Sequence, residues 1–258
     1  MNFHEFRLKL SVAIRNPVST IKGVLMKDQA SFNELETKYR INKIVGELFG
    51  RYTAHLGEEV FDDHPLWERI DWALSIYERC DPSAMRFIKG LLLFAVIRVL
   101  KPDIVIETGV ASGISTLFIL RALERNGKGR LYSIDLPNVE QASTLPEGFE
   151  PGWIVPEDLR RRLSLYIGDS RIVLPELLKR LGRIDMFLHD SLHTYDHMMY
   201  EYAEVWKYLR DGGVIASDDV DANEAFKHFV ERAKGQSFDV KVSTNSGLGL
   251  ALFRKLAS

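Results

Sequence analysis

Acidic side chains follow three successive apolar runs in the second half of the sequence. Glu107 ends the first run, Asp135 ends the second, and Asp169 with Ser170 follows the third. In an open α/β sheet, ligands bind outside the carboxyl ends of the strands, so we expect these residues to lie at one edge of a sheet. A carboxylate there can accept hydrogen bonds from a ribose diol or from the exocyclic amine of adenine. Taken singly, each aspartate could instead cap a helix.

A glycine-containing stretch, Val105–Ser115, joins the first apolar run to a helical pattern. Gly109 and Gly113 allow the backbone to approach a ligand closely and a helix to begin directly afterwards. The dinucleotide fingerprint G-x-G-x-x-G would face a pyrophosphate, which the carboxylate of Glu107 would repel. The acid therefore favours a ligand with a cationic group. Together with the later strand ends, it predicts an adenosine that carries a positively charged amino-acid tail.

The elements that position these residues begin at Asp103. From there, short β-branched runs alternate with amphipathic helices, which predicts a parallel sheet with right-handed crossovers. We predict a doubly wound, seven-stranded, mostly parallel Rossmann-like α/β sheet that ends in an antiparallel hairpin. The predicted strands are residues 104–107, 130–134, 164–167, 184–188, 213–217, 238–242 and 248–253, and the predicted helices are residues 114–125, 172–181, 197–209 and 222–233.

Apolar residues at helical spacing, without a strand pattern, dominate the first part of the sequence. We therefore predict a helical amino-terminal extension or cap over residues 1–80 and the α/β domain over residues 81–258. Residues 1–30 are basic and amphipathic. They could dock on the protein's own body or on a sister subunit of a homo-oligomer, which we favour over attachment to a membrane surface. The long segment 136–163 is predicted to be a partly ordered loop on the substrate side, anchored by Trp153, and simple packing of that tryptophan is the alternative.

The composition excludes several classes of protein. The 258 residues carry a formal net charge of −2, which provides no basic field for a nucleic-acid partner. A single cysteine excludes an intrachain disulfide framework and a cysteine-rich zinc site, and it fits a reducing, cytoplasmic location. The sequence contains no apolar run of the roughly 20 residues that a membrane-spanning helix needs.

Residues 102–254 resemble the class I S-adenosylmethionine-dependent methyltransferases in the acid–glycine–acid pattern described above. Within that superfamily, the stretches Phe187–Tyr195 (FLHDSLHTY) and Leu209–Asp219 (LRDGGVIASDD) are similar to the divalent-metal-dependent O-methyltransferases of the catechol and macrolide-sugar types. The resemblance implies S-adenosylmethionine as the cofactor. It implies that the methionine moiety is held by Glu107, Gly109, Gly113 and Ser115, the ribose by Asp135, and the adenine by Asp169 and Ser170.

The resemblance also implies a metal site. The family places one metal ligand after the fourth strand, which Asp190 matches, and an adjacent pair after the fifth strand, which Asp218 and Asp219 match. Three hard oxygen ligands suit Mg²⁺ or Mn²⁺. The spacing Asp190-x-x-His193 is similar to the sugar-modifying branch, in which that histidine is the general base. His193 is therefore predicted to be the base.

The same stretches leave alternatives open. An ungapped match to the catechol type would place His189 on the first metal position and would replace the lysine base of that type by Leu192. His189, His193 and His197 recur every four residues, a spacing that would suit zinc. The adjacent aspartates after the fifth strand could also serve only as a helix cap.

The predicted function is metal-assisted O-methylation of a hydroxylated small molecule, with a glycoside or polyol ahead of a catechol. A metal-independent methyltransferase of the same fold is one alternative. A nucleotide-binding protein without turnover is another. The cluster of Asp190, His193, Asp218 and Asp219 weighs against the latter, because a scaffold needs none of these side chains.

Overall fold

The computed structural model describes residues 34–50, 55–76, 84–138, 145, 147–233, 235–240 and 250–256. The basic segment 1–30 and the predicted hairpin turn at 243–247 lie outside the described residues. None of the helices in the described ranges is long and apolar enough to cross a membrane.

Within these described ranges, seven strands form one sheet in the order β3-β2-β1-β4-β5-β7-β6. Strands β1 to β5 run parallel, whereas β7 pairs antiparallel with both β5 and β6. The structure therefore confirms the predicted α/β class and the mostly parallel sheet. The strands are β1 Ile104–Thr108, β2 Arg130–Asp135, β3 Leu163–Ile167, β4 Ile184–His189, β5 Leu209–Ser217, β6 Gly235–Val240 and β7 Leu250–Lys255.

The strand order indicates where a ligand would bind. The chain proceeds from β1 to β2 on one side and returns to β4 on the other side, so the order reverses between β1 and β4. Ligands of open α/β sheets bind in the crevice outside the strand ends at such a switch point. The six residues of β4 are all buried, as expected for a parallel strand that is covered on both faces.

Nine helices are described. They are α1 Glu34–Phe49, α2 Leu56–Phe61, α3 His64–Ile76, α4 Ala84–Leu100, α5 Ile114–Asn126, α6 Glu157–Arg160, α7 Ser170–Leu181, α8 Tyr195–Trp206 and α9 Ala225–Arg232. The prediction of a helix over 197–209 and a strand over 213–217 was wrong at their shared boundary, because α8 ends at Trp206 and β5 begins at Leu209. The strand begins at Leu209, with Gly212 at a φ of +74° and a register shift against β4, so the residues before 213 belong to the strand as a bulge.

The amino-terminal helices share one apolar core with the sheet. Buried side chains of α1 and α3, such as Val45 and Trp67, lie in the same apolar cluster as Val105 of β1 and Met186 of β4. A separate helical cap is therefore not confirmed in the part of the chain that the structure describes. The division at residue 80 stays a prediction.

Helices α4 and α5 pack closely on this face. A Cβ atom at Gly90 of α4 would lie 2.3 Å from the ring of Phe118 in α5, so the two helices can approach this closely only because position 90 carries no side chain. The opposite face of the sheet is covered by α7, α8 and α9, whose Leu174, Tyr202 and Phe229 lie in a second apolar cluster.

Candidate active site

The glycine loop between β1 and α5 is held tightly at both glycines. Gly109 has a φ of +82°, and a Cβ atom there would lie 1.9 Å from the carbonyl oxygen of Asp190. Gly113 has a φ of +96°, and a Cβ atom there would lie 2.9 Å from Cα of Gly152. Both positions therefore require glycine for conformation and for space. The loop is wedged between the end of β4 and the segment that contains Gly152.

Glu107, at the end of β1, is fully buried. Its carboxylate accepts hydrogen bonds from the hydroxyls of Ser115 at 2.6 Å, Thr116 at 2.8 Å and Ser133 at 2.7 Å. Burial raises the pKa of the Glu107 carboxyl to about 7, against the three hydroxyl hydrogen bonds, which favour the ionised form. Glu107 and Ser115 are thus engaged with each other and order the start of α5. Their direct contact with a cofactor stays a prediction.

The replacement Glu107→Gln should change how stability depends on pH. The folded-state pKa of about 7 lies above the ordinary 4.5, so the stabilising contribution of this group is fully present below pH 4.5 and is lost as the pH rises to about 7. Each pKa unit corresponds to about 1.4 kcal/mol, so wild type should lose on the order of 3 kcal/mol in this window that the glutamine variant retains. Denaturant titrations at several pH values measure this loss.

The exposed Glu176 on α7 provides the control for that measurement. Glu176→Gln should leave the pH profile of wild type unchanged. Parallel profiles for wild type and Glu107→Gln would contradict the raised pKa.

Asp135, at the end of β2, is bonded to the glycine loop. Its Oδ2 atom accepts hydrogen bonds from the backbone N–H groups of Val110 at 2.9 Å and Ala111 at 2.7 Å, and its Oδ1 atom accepts one from Leu136 at 2.8 Å. A carboxylate offers about four acceptor positions, so one is left for a ribose hydroxyl. The structure therefore brings Asp135 to the predicted edge, already in contact with the loop.

Asp169 and Ser170, at the start of α7, have different surroundings. Asp169 is exposed and caps the helix, accepting a hydrogen bond from the backbone N–H of Arg171 at 2.8 Å. Ser170 is buried, and its hydroxyl lies 3.1 Å from Nε2 of His197. Asp169 thus fills the capping role that was its alternative. The adenine contact of both residues stays a prediction.

The predicted metal ligands and base converge after β4 and β5. Donor atoms of Asp190, His193 and Asp218 lie within 4.8 Å of one another. Asp219 adjoins them, with Oδ2 at 3.6 Å from Nδ1 of His193. Its φ of +48° is rare for a residue other than glycine, and such backbone strain clusters at functional sites. We call these four side chains the acidic cluster.

His193 is partly enclosed in the acidic cluster. Its Nε2 atom is buried and has no hydrogen-bond partner among the described residues. Burial lowers the pKa of this imidazole, while the nearby carboxylates of Asp219 and Asp218 oppose that shift. The lowered pKa favours the neutral ring, which has a lone pair available for a proton.

Lys89 is a site residue that the sequence analysis missed. Its side chain comes from α4, and its ammonium group forms an ion pair with Oδ1 of Asp218 and lies 3.5 Å from Oδ1 of Asp219. Lys89 is only 9% exposed. A lysine directly before the apolar run Leu91–Ile97 was the available signal, because lysines are rarely buried without a partner.

Glu201 of α8 was also missed. It is fully buried and accepts hydrogen bonds from Thr108 Oγ1 and His189 Nδ1, both at 2.7 Å, from His197 Nε2 at 2.9 Å and from Ser191 Oγ at 3.1 Å. Burial alone would raise the pKa of the Glu201 carboxyl, but hydrogen bonds from the two histidines outweigh it and lower the pKa. Glu201 is thus a buried anion that joins β1, β4 and α8.

The Glu201 network bears on two of the predictions. Because Glu201 holds His189 and His197, only His193 of the three regularly spaced histidines belongs to the acidic cluster, and the spacing does not form a zinc site. Glu201 also bonds the residues on both sides of Asp190, namely His189 and Ser191. It therefore fixes the backbone that presents Asp190 to the cluster.

The ordered part of the long loop lies against the glycine loop. The backbone N–H of Gly152 donates to the carbonyl of Ala111 at 2.8 Å, and that of Ile154 donates to Ser112 at 3.3 Å. Four side chains hold this segment on α3, and we call them the aromatic clasp: Arg69, Trp72, Phe149 and Trp153.

The aromatic clasp is built from one cation–π contact and two tilted or edge-on ring contacts. The guanidinium of Arg69 lies 3.6 Å from the ring centroid of Trp72, and its Nε donates to the carbonyl of Ile154 at 2.6 Å. The ring of Trp153 lies 5.7 Å from that of Trp72 and 4.7 Å from that of Phe149. Trp153 therefore anchors the loop by packing. A substrate-side role of the loop stays a prediction.

Comparisons with known proteins agree with this architecture. Residues 106–220 match a family model described as a methyltransferase domain. An O-methyltransferase of Streptomyces achromogenes from tomaymycin synthesis, solved with S-adenosylmethionine, is 20% identical at a TM-score of 0.57, covering 76% of this chain and 91% of its own. A methyltransferase of Podospora anserina, solved with S-adenosylhomocysteine, is 16% identical at a TM-score of 0.53, covering 88% and 98%.

A methyltransferase of Geobacter sulfurreducens is 19% identical at a TM-score of 0.51, covering 83% of this chain and 96% of its own. At these identities, the solved structures show a shared fold. No curated protein matches the chain. Lys89 lies outside the residues that the family model matches, whereas the acidic cluster and the glycine loop lie within them.

Proposed function

We propose that this chain, an S-adenosylmethionine-dependent methyltransferase of class I, transfers the methyl group to a hydroxyl oxygen of a small molecule with the help of a divalent cation. The convergence of the acidic cluster at the sheet edge that carries the glycine loop is the observation on which the proposal rests. The similar protein of Streptomyces achromogenes, described as an O-methyltransferase, supports oxygen as the acceptor atom.

S-adenosylmethionine supplies an electrophilic methyl group on a sulfonium. The glycine loop would hold its amino-acid tail and Asp135 its ribose, with Asp135 already tied to the loop backbone. Because the methyl donor is already reactive, the protein's contribution is to align the acceptor oxygen in line with the methyl carbon. Such alignment can contribute ~7–11 kcal/mol.

The side chains of the acidic cluster fit a divalent cation. The carboxylates of Asp190, Asp218 and Asp219, together with the ammonium of Lys89, leave a formal charge of minus two, which one divalent ion neutralises. Hard carboxylate oxygens suit Mg²⁺ or Mn²⁺. We assign the three aspartates as ligands. The ion would lower the pKa of the acceptor hydroxyl.

His193 is proposed to take the proton of that hydroxyl. Its buried Nε2 atom has no hydrogen-bond partner among the described residues. Burial lowers the pKa of the ring, which favours the neutral form that a general base requires. A placed base contributes typically ~10²–10⁴-fold to the rate.

The test measures S-adenosylhomocysteine release with a panel of phenols, catechols, polyols and glycosides, and Mn²⁺ binding by calorimetry. Turnover should vanish with a chelator and return with Mg²⁺. His193→Gln should lose at least about a hundredfold in rate and keep its affinity for Mn²⁺. Asp218→Asn should lose both the rate and the Mn²⁺ affinity. Asp211→Asn, at an exposed position of β5, should keep both.

Each part of the proposal can fail separately. Loss of Mn²⁺ affinity in His193→Gln would make this residue a ligand instead of a base. Turnover that resists the chelator would establish the second candidate, a metal-independent methyltransferase of the same fold. The ion pair between Lys89 and Asp218 favours that candidate, because it already gives the carboxylates a cation.

A further inference from the structure

We infer that Lys89 is a built-in counter-cation of the acidic cluster, which holds Asp218 and Asp219 in place before a metal binds and then shares Asp218 with the metal. The inference rests on the proposed function, since it assumes that a divalent ion enters this cluster. It assigns a role in the site to a residue that the matched methyltransferase domain does not include.

Lys89 is placed to contact both members of the aspartate pair. Its ammonium is ion-paired with Asp218 and lies 3.5 Å from Asp219. The side chains of Lys89, Asp218 and Asp219 are 11%, 13% and 22% exposed, so water screens these charges only partly. An ammonium is a compact charge with three donors, which allows one lysine to serve two carboxylates.

The position of this charge is fixed by the helix that carries it. Gly90, the next residue, is where α4 packs closely on Phe118 of α5, and a Cβ atom there would lie 2.3 Å from the phenyl ring. Helix α4 therefore cannot move away from α5 without breaking buried packing. The packing of α4 on α5 therefore holds Lys89 next to the acidic cluster.

Lys89 should have opposite effects on the protein without metal and on metal affinity. Without metal, its charge relieves the repulsion among Asp190, Asp218 and Asp219, which lie together in a partly buried site. With metal, a cation that binds Asp218 meets a second positive charge on the same carboxylate. Charges a few ångströms apart in such surroundings interact by several kcal/mol at most, enough to change affinity by an order of magnitude.

The experiment compares wild type with Lys89→Met, which keeps the apolar stem and removes the charge, and with Lys89→Arg, which keeps the charge. Mn²⁺ affinity is measured by calorimetry and thermal unfolding is followed with and without Mn²⁺. Lys89→Met should bind Mn²⁺ at least about tenfold more tightly. It should also melt several degrees lower without metal, and added Mn²⁺ should close that gap. Lys89→Arg should stay near wild type in both.

Unchanged or weaker Mn²⁺ binding by Lys89→Met would overturn the inference, as would an unchanged melting temperature without metal. If wild type binds no Mn²⁺ but Lys89→Met does, the inference holds and the metal part of the proposed function fails. If neither protein binds Mn²⁺, both are wrong.

Discussion

Gly109→Ala should abolish S-adenosylhomocysteine binding and lower the free energy of unfolding by about 2–5 kcal/mol. The added Cβ atom would lie 1.9 Å from the carbonyl oxygen of Asp190, and this neighbour is backbone that cannot rotate away. The φ of +82° adds strain of its own for any residue with a side chain. The glycine loop and the backbone of Asp190 would have to separate, which would disrupt the proposed cofactor site and the proposed metal site together.

Gly127→Ala is the matched control for this clash. Gly127 has a φ of +69° at the end of α5, and a Cβ atom there meets nothing within 4 Å. It should therefore show only the backbone strain, roughly 1–2 kcal/mol, and bind S-adenosylhomocysteine like wild type. Calorimetry and denaturant unfolding measure both quantities. Normal cofactor affinity in Gly109→Ala would show that the loop can relax, contrary to our expectation.

Glu201→Leu should destabilise the protein by about 3–5 kcal/mol. The replacement leaves Thr108, His189, Ser191 and His197 without their shared acceptor in a fully buried place. Unpaired buried polar groups carry the full cost of their lost hydration. Since two of these residues flank Asp190, Mn²⁺ affinity should fall as well.

Glu204→Leu on the same helix is the control for Glu201→Leu. Glu204 pairs with the exposed Lys207, and water screens such surface pairs so that they contribute little to stability. Glu201→Gln should fall between the two, because the amide keeps the shape and one acceptor oxygen. Denaturant unfolding and Mn²⁺ calorimetry rank the three variants. Equal stability of Glu201→Leu and Glu204→Leu would contradict the organising role of Glu201.

The strand ends of the site could be predicted because they depend on local sequence patterns. A continuous apolar run that ends in a polar residue predicts a buried parallel strand, and the ends of such strands meet at one edge. Asp135 was placed at that edge for this reason, whereas Asp190 and Asp218 were identified from the family resemblance. All three lie at that edge in the structure. The start of β5 was missed because Gly212 and its charged neighbours indicate a turn locally, whereas pairing with β4 keeps them in the sheet as a bulge.

Contacts between elements far apart in sequence could not be predicted in this way. Lys89 reaches Asp219 across 130 positions, and Glu201 reaches Thr108 across 93. The sequence around such a residue can indicate burial, but its partners are set only by the packing of α4 and α8 on the sheet. For Glu107, the position at the end of β1 was predicted, but its complete burial was not.

The aromatic clasp gives the protein an optical signal of its own. Of the four tryptophans in the sequence, Trp67 and Trp206 are packed among core aromatics. Trp72 of α3, in contrast, contacts Trp153 of the segment that touches the glycine loop. Indole emission responds to its immediate surroundings, so events at the loop are reported by these two rings. Occupancy of the site can therefore be followed in the native chain without a dye or a label.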